Sequence, residues 1–145
     1  MLGVTFPYEN SRHKVVTLRA AEPYKVDWLI AKDLTTKDKI YFRPETDGMV
    51  LVGTGDHGDP IQDPGSGLSD SVEMDHVSRI DRLITNRNPA YSNAELPVSW
   101  TGPYDITPDW NPVVGLVTGY DGMFVAVGFS GHGFKLAPTI AESLA

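Results

Sequence analysis

The chain has 145 residues, a formal net charge of −7 and no cysteine, with 41% apolar and 21% charged residues. That length holds one domain, or most of one, with a buried core, and zero cysteines exclude disulfides, thiolate metal sites, cysteine nucleophiles and a flavin tethered to a cysteine of this chain. An acidic balance with no basic cluster argues against nucleic acid or an anionic membrane as partner; no apolar run could span a bilayer and no secretory leader pattern opens the chain, so cytoplasmic residence is the default.

Fourteen Gly and eleven Pro predict many turns and short strands. Residues 1–11 read as an irregular leading segment. His13 to Arg19 is β-branched and weakly alternating, hence a strand, broken by Glu22-Pro23. Trp28 to Ala31 is a short apolar piece and Lys32 to Lys39 a charged turn. Ile40 to Pro44 and Met49 to Gly53 read as a hairpin closed by Glu45 to Gly48, with Asp47-Gly48 in the turn. Thr54 to Ser69 is loop. Asp70, with Glu73 three residues on, has capping-box spacing, and Val72, His76 or Val77, Ile80, Leu83 and Ile84 share a helical face. A helix over 71–86 follows, stopped by Asn88-Pro89. Val98 to Ile106 reads as a strand in which Gly102-Pro103 demands a bulge or edge irregularity. Val113 to Val117 and Met123 to Val127 pair through Gly119 to Gly122, and Pro138 opens a short helix over 139–144. The expected fold class is α+β: an antiparallel-rich sheet with one main helix on a face.

Several candidate sites dissolve on inspection. Gly53-Thr54-Gly55-Asp56-His57-Gly58 matches GxGxxG, but a dinucleotide fingerprint needs a helix at its third glycine, and Asp59-Pro60 then Asp63-Pro64 forbid one. His57 with Asp56 and Asp59 fits solvated turn chemistry better than a metal centre, so no metal is expected. His76, at the apolar helical face, suits a hydrogen-bonded packing role, and Ser130 lacks both the nucleophile elbow and an acid-base partner.

The stretch Gly128-Phe129-Ser130-Gly131-His132-Gly133-Phe134-Lys135 is different in kind. Three glycines let backbone approach a ligand and reach positive φ, and a glycine-rich turn feeding a helix leaves N–H donors facing outward. Lys135 at a helix N-terminus opposes the macrodipole, which points to an anion; the plain alternative is a lysine snorkelling to solvent.

That stretch, with Asn111-Pro112-Val113-Val114-Gly115 and Asp121 to Ala126 before it, resembles the C-terminal signature of FAD-dependent amino-acid and amine oxidoreductases: sarcosine oxidase, glycine oxidase and D-amino-acid dehydrogenase. Trp100 to Asp109 is similar to that family's strand and "TPD" turn, and Ile40 to Gly53 to its substrate-domain hairpin. The resemblance implies that Gly128, Phe129, Ser130, Gly131, His132, Gly133, Phe134 and Lys135 lie against the flavin ring. Backbone amides and basic residues there, His132 and Lys135, would face its polar edge and stabilise the anionic reduced flavin. Lys135 would also help hold a substrate carboxylate. The implied chemistry is oxidation of a C–N bond by hydride transfer to flavin, then hydrolysis of the imine.

The resemblance further implies a division into residues 1–110, a portion of the substrate-binding domain, and residues 111–145, a strand, glycine turn and helix returning to the FAD domain. The family's N-terminal dinucleotide-binding domain has no counterpart here. The expectation is therefore a C-terminal part of a longer enzyme, inactive alone, its missing FAD domain supplied in cis or trans. FAD would be noncovalent in the parent, since Gly102 lies near where some sarcosine oxidases carry a flavin-tethering cysteine, and not bound by this chain alone. The hairpin strand carries Met49-Val50-Leu51-Val52 where oxidases of the group place a lysine, which favours a dehydrogenase. The alternative is a small subunit or binding module completing a flavoenzyme site in trans. A homodimer through the strands over 113–127 is a further expectation.

Overall fold

A computed structural model of the chain describes residues 3–21, 30–56, 59–60 and 71–145. Its elements run β1 (Glu9–Arg19), β2 (Ala31–Lys32), β3 (Tyr41–Pro44), β4 (Met49–Gly53), β5 (Asp59–Pro60), α1 (Met74–Arg87), β6 (Ser99–Ile106), β7 (Val113–Leu116), β8 (Phe124–Val127) and α2 (Gly133–Leu144). They fall into two compact units, one of His13–Gly58 and Gly67–Gly102, the other of Met1–Arg12, Asp59–Ser66 and Pro103–Ala145.

The first unit is α+β, built on the two strands richest in β-branched residues. β1 and β4 pair antiparallel from Val15↔Gly53 to Arg19↔Met49, β3 continues beyond β4, and β2 follows on β3. Gly53 sits beside Tyr41, whose ring comes within 2.8 Å of where a Cβ would stand, so a side chain there would have to displace the tyrosine. Val16 and Leu18 of β1 and Val50 and Val52 of β4 form one core with Val77, Ile80 and Ile84 of α1, and Tyr91 closes it. The i, i+3, i+7 spacing of the helical residues is the apolar stripe expected of a helix laid on a sheet. Each such side chain contributes about 1.5–3 kcal/mol by leaving water.

The expected hairpin over 40–53 is present, with a 3₁₀ turn at Thr46–Gly48 and Asp47 in left-handed backbone. The helix begins three residues later than the capping-box spacing predicts. Glu73 is itself the N-cap, in extended backbone and with no side-chain cap bond. Its carboxylate lies 2.9 Å from Lys14 Nζ, so a charge pair with β1 takes the group that a capping box would use. Asp70 lies outside the described residues. β6 runs unbroken through Gly102-Pro103, where an irregularity was expected. The residue before a proline favours extended backbone, and proline's own φ fits a strand, so one strand can carry both residues at the loss of one donor. β1 also extends back to Glu9, into what read as an irregular leading segment.

In the second unit β7 and β8 pair from Val113↔Val127 to Leu116↔Phe124. The short hairpin is closed by Gly119 and Gly122 in left-handed backbone and by Val117 N–H donating to the Met123 carbonyl at 2.9 Å. Asp59–Pro60, directly after the GxGxxG match, pairs with Ser11 and Arg12 as a strand, so no helix opens there. α2 begins at Gly133, five residues before Pro138, and not at 139 as expected. Pro138 therefore lies inside the helix, where it cannot donate to the Phe134 carbonyl. Its φ still suits a helix, and Phe134 is fully exposed, which leaves that carbonyl to water.

Candidate functional site

β8 ends in a turn whose shape comes from three left-handed residues: Gly128 (φ 71°), Ser130 (φ 50°) and Gly131 (φ 79°). Two are glycines because the same chain crowds them. A Cβ on Gly128 would strike Thr107 Cγ2, and one on Gly131 would lie 2.8 Å from Tyr104 Cζ. Gly133 differs: its φ is not positive and a Cβ would make only ordinary contact with Phe129, from 3.4 Å. Ser130 takes a conformation that costs a non-glycine residue about 1–2 kcal/mol, and its hydroxyl offsets this. Ser130 Oγ accepts from Thr107 N–H at 3.2 Å, and its one hydrogen has two acceptors within reach, the Gly128 carbonyl at 3.4 Å and Thr107 Oγ1 at 3.3 Å, with the residue 1% exposed. The serine is a structural pin.

The amides of the turn divide into two sets. Asp105 Oδ2 accepts from Gly128 N–H at 2.6 Å and from Phe129 N–H at 3.3 Å, and the Asp105 carbonyl accepts from Ser130 N–H at 3.0 Å. His132 N–H donates to the Phe129 carbonyl at 2.8 Å. The amides of Gly131, Gly133, Phe134 and Lys135 have no acceptor among the described residues. The last three open α2, where the first N–H groups lack helical partners and the dipole is positive. The amides left open in the turn thus lie in its second half.

His132 is the N-cap of α2 and half-buried, its ring centroid 6.5 Å from that of Trp110 and tilted by 49°. Trp110 itself is in left-handed backbone, φ 62°, at the end of a turn in which its N–H donates to the Thr107 carbonyl at 3.1 Å. In that turn the Asn111 N–H donates to Asp109 Oδ1 at 3.0 Å, and this bond, followed by one from the Asn111 side chain, holds the Asp109 carboxyl below its ordinary range. Lys135 and Phe134 are exposed on the first turn of α2. His132, Lys135 and the open amides are thereby gathered at one helix end, where an electron-rich or anionic group would meet only donors.

Sequence reasoning gave no site role to Tyr104, Asp105 or Thr107, the residues that hold this turn. One signal was available: Asp is disfavoured in strands, and Asp105 sits between Tyr104 and Ile106 of β6 with no local reason to be there.

Elsewhere, His57 and Gly58 lie outside the described residues. Asp56 accepts from Thr54 Oγ1 at 2.9 Å and lies 3.4 Å from Arg79, which also pairs with Asp38. His76 is half-buried on α1, but the hydrogen bond expected of it is missing at Nε2, which is buried without a partner among the described residues. Burial, then the charges of Lys14 and Arg79, push its pKa below the usual histidine value, against a smaller pull from Asp56 and Glu73. Among the described residues no helix is long and apolar enough to cross a membrane.

A family profile described as FAD dependent oxidoreductase matches residues 1–145. The chain belongs to this family. It is 28% identical over 148 residues to FAD-dependent oxidoreductase domain-containing protein 1 of Xenopus laevis, covering 99% of this chain and 28% of that protein. It is 27% identical over 142 residues to glycine oxidase of Pseudomonas putida, covering 97% of this chain and 35% of that enzyme. Its fold matches the crystal structure of L-proline dehydrogenase from P. horikoshii with a TM-score of 0.78 and 25% identity, over 99% of this chain and 36% of that one. The chain thus spans about a third of the length of the proteins it matches. The family implies FAD, and the donor set fits it: open amides, a glycine without side chain at Gly133, and a cation at Lys135, all in the first turn of α2.

Proposed function

We propose that this chain supplies the flavin-ring side of the site in an FAD-dependent oxidoreductase acting on the C–N bond of a sarcosine-like substrate or a D-amino acid. The observation that carries the reading is the cluster of unpartnered amides at Gly131, Gly133, Phe134 and Lys135, in a chain of this family. FAD, when bound, supplies the two-electron acceptor for that oxidation. Gly128, Phe129, Ser130, Gly131, His132, Gly133, Phe134 and Lys135 form the wall beside it. Open amides there stabilise negative charge on the ring edge without reorganising, His132 adds a polar group held against Trp110, and Lys135 holds the substrate carboxylate. Residues 1–110 serve as part of the substrate-binding domain and residues 111–145 as the return to the FAD domain, with the nucleotide-binding part of the site supplied in cis or in trans. The curated relatives include a glycine oxidase, which supports an amino-acid substrate.

The second reading, a module that completes a flavoenzyme in trans, is favoured by apolar side chains left open in the second unit. Leu116 and Phe124, paired across β7 and β8, are 66% and 51% exposed, and Phe134 on α2 is 100% exposed; contiguous apolar surface of that kind marks an interaction site. Lys135→Met in the FAD-loaded protein separates a substrate role from a solvated lysine. A charge-assisted bond to a carboxylate is worth about 1.5–3 kcal/mol, so the substrate KM should rise about 10- to 100-fold. An unchanged KM would remove Lys135 from the site.

A further inference from the structure

The Asp105 carboxylate is placed as an internal anion. Two consecutive backbone N–H groups pointing at one point form a concavity that binds anions, and in this turn that point is taken by Asp105 Oδ2, reached by Gly128 N–H at 2.6 Å and Phe129 N–H at 3.3 Å. The Asp105 carbonyl takes a third amide, that of Ser130. Thr107, two residues further along the same chain, pins the Ser130 hydroxyl. β6 and the start of its following turn thus hold the left-handed segment at both ends, from Gly128 to Ser130. The chain then continues into α2, where the amides of Gly131, Gly133, Phe134 and Lys135 have no acceptor among the described residues. No other carboxylate bonds the turn among the described residues.

We propose that Asp105 is the positioning residue of the flavin-facing turn: its carboxylate withdraws the amides of Gly128 and Phe129 and so determines that the donors offered to the cofactor are those from Gly131 to Lys135. This rests on the FAD reading above. Without the carboxylate, Gly128 N–H is left buried and unsatisfied, and the turn must rotate to find another acceptor. Both N–H groups reach the same oxygen, so Asp105→Asn, with its amide oxygen in that place, should retain both bonds without the charge, while Asp105→Ala loses both.

The test uses the FAD-loaded full-length protein with both variants. Amide hydrogen exchange at Gly128 and Phe129 should quicken at least about 10-fold in Asp105→Ala and less in Asp105→Asn, since each bond lost exposes its donor. Exchange in the β7–β8 hairpin should stay unchanged, which reports that the unit is folded. The FAD dissociation constant should rise about 10-fold in Asp105→Ala, and the visible band shape of bound flavin should move toward that of free flavin. Faster exchange with unchanged FAD affinity and spectrum would overturn the proposal, leaving Asp105 a brace. Unchanged exchange would also overturn it. Wild-type protein that binds no FAD would sink the flavin reading itself, while the exchange rates still decide whether Asp105 locks the turn.

Discussion

Gly128 and Gly122 have nearly the same φ, 71° and 70°, and belong to the same unit, but they differ in what surrounds them. A Cβ at Gly122 meets nothing within 4 Å, whereas one at Gly128 strikes Thr107 Cγ2. Alanine in left-handed backbone costs about 1–2 kcal/mol, partly offset by about 0.4–1 kcal/mol from the stiffer unfolded chain. Gly122→Ala should therefore destabilise by about 1 kcal/mol or less. Gly128→Ala adds an overpacking cost of about 1–3 kcal/mol, for a total near 2–4 kcal/mol. Thr107→Ser removes the offending methyl and keeps the hydroxyl that donates to the Asn111 carbonyl at 2.9 Å and pairs with Ser130. The double variant Gly128→Ala with Thr107→Ser should recover most of the excess. Urea denaturation of the wild type, the three single variants and the double, with Gly128 and Thr107 read as a double-mutant cycle, measures this coupling directly. Equal losses for the two glycine variants, or no recovery in the double, would refute the steric reasoning.

Two further outcomes concern the first unit. Ile80 is fully buried between α1 and the sheet, so Ile80→Ala should cost about 2–5 kcal/mol in urea denaturation; a loss below 1 kcal/mol would mean that the core collapses around the gap. His76 has a pKa below its unfolded value because burial disfavours its charged form. The unfolded chain then binds the proton first, so this contribution to stability is whole above about pH 6.5 and declines as the pH falls below it toward the folded pKa. His76→Gln should flatten that part of the stability profile between about pH 7 and 5, and identical slopes for both proteins would exclude the histidine.

Much of the architecture was legible from local pattern. The hairpins around Glu45–Gly48 and Gly119–Gly122 carry their own turn residues, and the 77, 80, 84 spacing marks the helical face that meets the sheet. The starts of the helices were not legible, because they depend on distant or conflicting groups. Glu73 is claimed by Lys14, 59 residues earlier in the chain, and α2 continues N-terminally through a proline that local rules place at its first turn. The candidate turn was recognisable by its residue types, but which of its amides stay open was not. Which amides remain open is decided by Asp105, 23 residues before Gly128, and by the contacts that Thr107 and Tyr104 make with the glycines.

The central claim is that the start of α2 faces the flavin. Amide hydrogen exchange of the full-length protein, compared with and without FAD, tests it most directly at Gly131 to Lys135. Exchange there should slow at least about 10-fold in the FAD-loaded form, because acceptors would then meet donors that are otherwise open. One FAD bound per chain with no slowing at those residues would contradict the account.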